Sequence, residues 1–380
     1  MSTIFDVAKK AGVSVMTVSR TLNSPGKVSL KTRKKITRAM EALGYEPNQI
    51  ARSLVKSKTH ILGIIMPDIK NTFFNSWFRE VEQVARSMGY NLLLCNTDED
   101  VEHELQSVRL MLGQRVDGIV IVPHARESVL PIQRSQRPFI LVDRFLDDIE
   151  ADAVSTDHYA GAVEATEYLL SLGHRSIAVL RGPGILFPDV ERYRGFADAM
   201  KKWEVPIDPR LVRNCEFQEA IAYQTTKDLL SRTPAPTAVF SFNSLMTIGV
   251  MKALSDLDLR IPDDLSIITY DQIPGYSIVT PTITYIQQPI EILGREATRI
   301  ILQRIERKGS EEIVRTLIPP KLVVGTSCRD LVNDRMRGAH ASSAELSMNS
   351  KVPHGTRTSN ESAAPSAPHS STENRHPPGH

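Results

Sequence analysis

The sequence predicts an all-α helix-turn-helix head over residues 1–46, a short joining segment over 47–60, an α/β body of two similar lobes over 61–330, and a disordered tail over 331–380. Three observations carry this reading. Apolar residues at helical spacing fill the first 46 positions, short continuous apolar runs alternate with helix-length stretches from Ile61 onward, and composition changes near Cys328.

In the head, Ile4, Val7, Ala8 and Ala11 recur at i, i+3, i+4 and i+7, so one stripe of a first helix is apolar while Asp6, Lys9 and Lys10 face water. Thr3 followed by Asp6 has the form of a capping box, and Gly12 ends the helix. Ser14 is placed to cap a second helix in which Val18 and Leu22 turn inward while Val15, Met16, Ser19 and Arg20 share the outer side. Two short helices joined by a tight glycine turn, the second offering an exposed mixed face with an arginine, predict a DNA-reading helix pair. Ser29 can cap a third helix with Ile36, Ala39, Met40 and Leu43 on its apolar stripe, ending at Gly44. Lys31, Thr32, Arg33, Lys34 and Lys35 crowd its first turns, where the helix dipole disfavours cations and an external anion would compensate.

Bulk properties agree with this division. The net charge is only +2, but residues 1–60 carry 12 Lys and Arg against 3 Asp and Glu, leaving the other 320 residues at −7. A basic head on an acidic body is the electrostatic footprint of a nucleic-acid-binding domain on a sensor. No apolar run approaches the roughly 20 residues that span a membrane, and no hydrophobic signal segment opens the chain, so a cytoplasmic, nucleoid-associated location is expected. Cys95, Cys215 and Cys328 lack metal-ligand spacing, and their odd number argues against a disulfide framework. Cys95 ends an apolar run and is expected to be a buried strand residue.

In the body, the runs ILGIIMPD, YNLLLCNTD, DGIVIVPH and PFILVDR form one group up to Arg144, and SIAVLRG, TAVFSFN and LSIITYD a second from Ser176. Such runs separated by helical stretches indicate parallel sheets covered on both faces. Polar residues gather at their C-terminal ends: Asp68, Asn96, His124, Asp143 with Arg144, Arg181, Asn243 and Asp271. Ligands of open parallel sheets bind outside those ends, so these residues are expected to converge on a crevice between the lobes. No nucleophile–base pair, P-loop, dinucleotide fingerprint or metal-ligand spacing is present, so no catalytic residue, cofactor or metal is expected. His174 is expected to make a structural hydrogen bond. After residue 330, nine Ser, five Pro and five His with no Phe, Tyr, Trp or Ile cannot bury enough apolar surface to offset chain entropy.

The string TIFDVAKKAGVSVMTVSRTLN closely resembles the N-terminal signature of the LacI/GalR family of bacterial transcription regulators, TI.DVA..AGVS..TVSR.LN. The likeness continues through KTRKKITRAMEALGYEPNQIARSL, and family-like segments recur to about Cys328. By this resemblance Val15, Met16 and Arg20 hold base-contacting positions, and Thr17, Asn23, Thr32 and Arg33 hold phosphate-contacting ones. Residues 47–60 correspond to the family's hinge helix and linker, with Ala51 at the close-contact position in the minor groove and Leu54 at the wedge position. The resemblance implies a body similar to periplasmic sugar-binding proteins, with several crossovers between lobes. Asn71, Phe73 and Phe74 in NTFF, Arg192 in ERYRGF, Asn243 in FNSLMTIG and Asp271 in TYDQ then fall at effector-binding positions, and Asp143 and Arg144 join them at a strand end. Thr72, Ser244, Thr269 and Gln272 depart from the family's usual residues. The implied protein is a homodimeric regulator, most often a repressor, of palindromic double-stranded operator DNA, controlled by a small polar effector such as a sugar or sugar derivative. A solute-binding protein with the same body is the alternative, and it has no use for residues 1–60.

Overall fold

The computed structural model describes residues 2–46, 58–273, 280–306 and 312–334. In the head, α1 (Ile4–Ala11), α2 (Val15–Asn23) and α3 (Leu30–Glu41) start where the caps dictate. The Thr3 hydroxyl accepts from the Asp6 N–H while the Asp6 carboxylate accepts from the Thr3 N–H at 2.8 Å, completing the capping box. Ser14 and Ser29 accept from the Thr17 and Thr32 N–H groups at 3.2 and 3.3 Å. Gly12 takes the left-handed conformation, φ 63°, that turns the chain between α1 and α2. Val7, Ala8, Ala11, Val18, Ile36 and Ala39 close a small core. The hinge residues Ala51 and Leu54 lie outside the described residues.

The body holds β1 (Ile61–Met66), α4 (Thr72–Ser87), β2 (Asn91–Asn96), α5 (Val101–Gly113), β3 (Gly118–Ile121), α6 (Arg126–Arg134), β4 (Phe139–Val142) and β5 (Asp152–Thr156). There follow α7 (His158–Ser171), β6 (Ile177–Arg181), α8 (Phe187–Lys202), β7 (Val212–Asn214), α9 (Glu219–Leu230), β8 (Ala238–Ser241), α10 (Ser244–Asp256) and β9 (Ser266–Tyr270). The last elements are β10 (Thr284–Gln287), α11 (Ile290–Ile305), β11 (Arg315–Ile318) and β12 (Lys321–Val323). They build two six-stranded sheets, ordered β11-β5-β4-β3-β1-β2 and β12-β10-β9-β8-β6-β7. The first is parallel throughout, and the second is parallel except where β12 meets β10. Ile65, Val108, Met111 and Ile132 fill one face of the first sheet, and Trp77, Val81, Leu293 and Ile301 the other.

The chain passes between lobes three times. It leaves the first sheet after β5, returns as α11 and β11, and crosses back into β12. The two groups of apolar runs therefore understate the first lobe, which takes its edge strand and a covering helix from the last quarter of the body. The reason lies in the residues: β11 reads RTLI and is largely exposed at the sheet edge, so it carries no continuous apolar signal. Cys95 lies on β2, the opposite edge, and is half-buried rather than buried because no strand among the described residues covers its outer side. Of the expected tail, residues 331–334 form a helical turn, with the Leu331 N–H donating to the Leu172 carbonyl at 2.9 Å, and 335–380 lie outside the described residues. No helix among the described residues is long and apolar enough to cross a membrane.

Candidate functional site

A cleft of about 590 Å³ opens between the lobes at the C-terminal ends of both sheets. Parallel sheets present their strand ends, helix N-termini and loops there, which is why polar side chains from distant sequence positions meet in one place. All eight expected effector residues, Asn71, Phe73, Phe74, Asp143, Arg144, Arg192, Asn243 and Asp271, line it, as do Asp68 and His124. Asn96 and Arg181 do not. Asn96 accepts from the Ile69 N–H at 2.7 Å and donates to Asp98, and Arg181 turns back to pair with the buried Asp189 at 2.5 Å. Asn96 thus serves the loops after β1 and β2, and Arg181 the first turn of α8.

Asp143 and Asp271 occupy equivalent places. Each follows the fourth parallel strand of its lobe in a left-handed conformation, φ 65° and 67°, and each N–H donates to the neighbouring strand, at Val154 and Ile286. Holding a non-glycine residue there costs free energy, and such residues gather at functional sites. Their surroundings then diverge. Asp143 accepts from His158 Nε2 at 3.2 Å, whereas both oxygens of Asp271 share one Gln288 amide at 3.0 and 3.1 Å. Burial pushes both carboxyls up. For Asp143 the His158 hydrogen bond and the charges of Arg192 and Arg144 prevail and the net direction is down. Asp271 has only Arg192 and the neutral Gln288 to oppose burial and is pushed up to about 6.

His158, the first residue of α7, is buried between Asp143 and Arg192. Arg192 directs Nε and Nη2 at His158 Nδ1, at 3.3 and 3.1 Å, donates from Nη1 to the Phe242 carbonyl, and lies 3.8 Å from the centre of the Tyr270 ring. Nδ1 facing a guanidinium can only accept, so the imidazole proton sits on Nε2 and donates to Asp143. Burial and the Arg192 charge both push the His158 pKa down, which keeps this neutral tautomer in place. On the other lobe Arg144 is buried and binds Glu99 in a bidentate pair at 2.6 and 2.8 Å, and His124 Nδ1 lies 3.0 Å from the same carboxylate. Burial pushes Glu99 up, but the Arg144 charge and the hydrogen bonds from His124 and Arg144 bring it down to about 2.

Other expected residues serve the scaffold as well as the cleft wall. Asn71 caps α4 by accepting from Phe73 N–H at 3.1 Å, and Asn243 caps α10 at 2.8 Å while donating to the Phe217 carbonyl. Phe73 and Phe74 meet edge-to-face, ring centres 5.1 Å apart, and are buried at the cleft wall. Sequence reasoning missed Glu99, His158 and Gln288. His174 makes the expected structural contacts, to Thr237 and the Arg329 carbonyl.

In the head, Met16 is 68% exposed and Arg20 is exposed on the outer face of α2, while Val15 is half-buried against the head core. Thr17 and Thr32 occupy the same place in their helices, each hydroxyl 2.9 Å from its capping serine. Asn23, which donates to Ser19 Oγ at 3.3 Å, and Arg33 are half-buried. The outer face of α2 can thus offer a base edge an apolar contact and a guanidinium, and two capped helix N-termini stand ready for phosphates.

Residues 3–48 match the bacterial regulatory proteins of the lacI family, and residues 166–328 match the periplasmic binding protein-like domain. The chain is 37% identical to the ribose operon repressor of Halalkalibacterium halodurans over 85% of its own length and 96% of that protein. It is 32% identical to the HTH-type transcriptional repressor PurR of Pasteurella multocida, over 87% and 99% of the two chains. Among solved structures, the Lac repressor dimer bound to operator and the anti-inducer ONPF is similar with a TM-score of 0.77 and 26% identity, covering 86% of this chain and 99% of that one. A ribose-bound LacI family regulator from Enterococcus faecium gives 0.65 and 30%, covering 71% and 99%. With the head and the periplasmic binding protein-like body both matched, and nearly the full length of these relatives covered, the chain belongs to the LacI family of bacterial regulatory proteins.

Proposed function

We propose that this chain is a dimeric repressor of palindromic operator DNA, working on the nucleoid in the cytoplasm, whose grip on DNA is set by a sugar or sugar derivative seated in the interlobe cleft. The observation that carries the reading is the pairing, in one chain, of an exposed Met16–Arg20 face on a capped second helix with a cleft that gathers carboxylates and buried arginines from both lobes. A solute-binding protein would share the second feature and have no use for the first. The proposed division is a head over 1–46, a hinge and linker over 47–60, a body over 61–330 and a tail over 331–380. Edge strand β2, with Leu92, Leu93 and Leu94 half-buried, and Met88 and Leu110 exposed beside it, supports dimerisation through the first lobe.

Selection of a binding site from random duplexes, followed by fluorescence anisotropy, tests the reading. The selected palindrome should bind about 10³-fold or more tighter than random DNA, and D-ribose, suggested by the relatives' names, is the first effector to add. Equal affinity for both DNAs would sink the proposal. In the same assay Arg20→Ala should cost about 1–3 kcal/mol on the selected site and less on random DNA, as expected for a guanine-reading side chain. Thr17, Asn23, Thr32 and Arg33 are proposed for phosphates, so their loss should weaken all sequences alike. Val15 and Met16 are proposed to make apolar base contacts, and Ala51 and Leu54 to enter the minor groove. Leu54→Ala should lower operator affinity about tenfold or more and reduce bending, because nothing then offsets the unstacked base step. A gel-shift bending assay in which the variant bends DNA like the parent would refute the wedge.

A further inference from the structure

Both arginines of the cleft are already engaged by the protein itself. Arg144 spends its two terminal nitrogens on Glu99, and its remaining Nε–H is shut off from solvent. Glu99 is carried into place by a left-handed pair, Asp98 and Glu99 at φ 53° and 57°, and it stays ionised at any physiological pH, so the pair is not released by protonation. Arg192 is held by His158 Nδ1 and the Phe242 carbonyl and lies against Tyr270. An anion approaching either guanidinium would have to displace an internal partner that is better placed.

What the cleft leaves open is acceptor-rich. Asp143 Oδ2 takes no hydrogen bond from any described group, and the two Asp271 oxygens share one amide. The wall carries six carboxylates against Lys70, Arg144 and Arg192, and Lys70 is exposed at the surface. Ionised carboxylates only accept, so they suit hydroxyl donors and repel a phosphate or carboxylate. Resting on the reading of this cleft as the effector site, we infer that it selects uncharged, hydroxyl-rich sugars against their phosphorylated and acidic forms, and that Glu99 and His158 are the residues that set this preference by occupying the arginines. Glu99 satisfies Arg144 directly. His158 keeps Arg192 turned toward the strand ends of the second lobe.

Titration calorimetry on the full chain tests this, with inorganic phosphate and D-ribose 5-phosphate as anionic probes, D-ribose and D-glucose as uncharged ones, and sodium chloride matching ionic strength. The parent should show no saturable anion binding that depends on Arg144 or Arg192. Glu99→Gln should gain phosphate and sugar-phosphate affinity by about tenfold or more, and the gain should vanish in the Glu99→Gln, Arg144→Gln double variant, whose unchanged basic head cancels in the comparison. Saturable anion binding by the parent that Arg144→Gln or Arg192→Gln weakens overturns the inference, as does a folded Glu99→Gln protein with no gain. Should Glu99→Gln fail to fold by circular dichroism, the parent decides alone: uncharged sugar bound over its phosphate supports the preference, and the reverse or no discrimination overturns it. Operator binding is measured on the same preparations, so failure of the repressor reading shows as lost operator recognition whatever the anion result.

Discussion

Arg192→Ala is expected to destabilise the body by about 3–5 kcal/mol and to abolish the response to effector. The guanidinium is buried and serves five groups at once: His158, the Phe242 carbonyl, the Tyr270 face and, through its charge, Asp143 and Asp271. Alanine leaves a carbonyl without its donor and Asp271 without the cation that opposes its burial, and removing one partner from a buried charged arrangement costs that much. Urea unfolding gives the stability and a thermal shift with effector gives the response. Arg192→Lys should recover part of the stability, since it restores a charge but not the three-way fork. A loss below about 1 kcal/mol for Arg192→Ala would mean that the network around His158 closes without it.

The second large effect is a pH dependence. Asp271 is pushed up to about 6 in the folded chain from an ordinary carboxyl near 3.8, so between those values the folded state holds a proton that the unfolded state has released. Stability linked to this group is present below about pH 4 and is lost as pH rises through 6, and the shift corresponds to about 3 kcal/mol. Asp271→Asn keeps the shape and removes the titration. The variant should therefore match the parent near pH 4 and exceed it by up to about 3 kcal/mol at pH 7, read from urea midpoints across that range. His158, Glu99 and Asp143 titrate in both proteins and cancel in the difference. A flat difference would show that Asp271 is not strained by its burial. An effector hydroxyl donating to Asp271 should shrink the gap, because it supplies the partner that burial withholds.

The head was legible in the sequence because every device in it is local. Thr3 and Asp6, Ser14 and Thr17, and Ser29 and Thr32 are each three residues apart, so caps and helix starts follow from the string itself. The position of the cleft was legible for a topological reason, since polar residues ending parallel strands must face the same side. Its internal wiring was not. Glu99 lies 45 residues from Arg144, Gln288 is 132 from Thr156, and His158 meets Arg192 across 34. In the string, Glu99 belongs to the acidic turn NTDED, which reads as a solvated loop, and His158 follows the capping Asp157, which reads as a helix start. Only the path of the chain between the lobes brings these residues to their partners.

That path also sets an order on how the protein is made. The first sheet gains its edge strand β11 and its covering helix α11 from residues 290–318, more than 130 positions after β5 has left the ribosome. Until then Trp77, Val81 and the outer face of β3 to β5 lack the surface that buries them. The second lobe, whose first five strands run consecutively from β6 to β10, can assemble while the first waits. The lobe synthesised first thus stays open until β11 arrives, only a few residues before β12 closes the edge of the second. No single cut in the chain frees either lobe intact, and a ribosome stalled before Ile318 would hold a nearly finished second lobe beside a first lobe with its apolar flank open to chaperones.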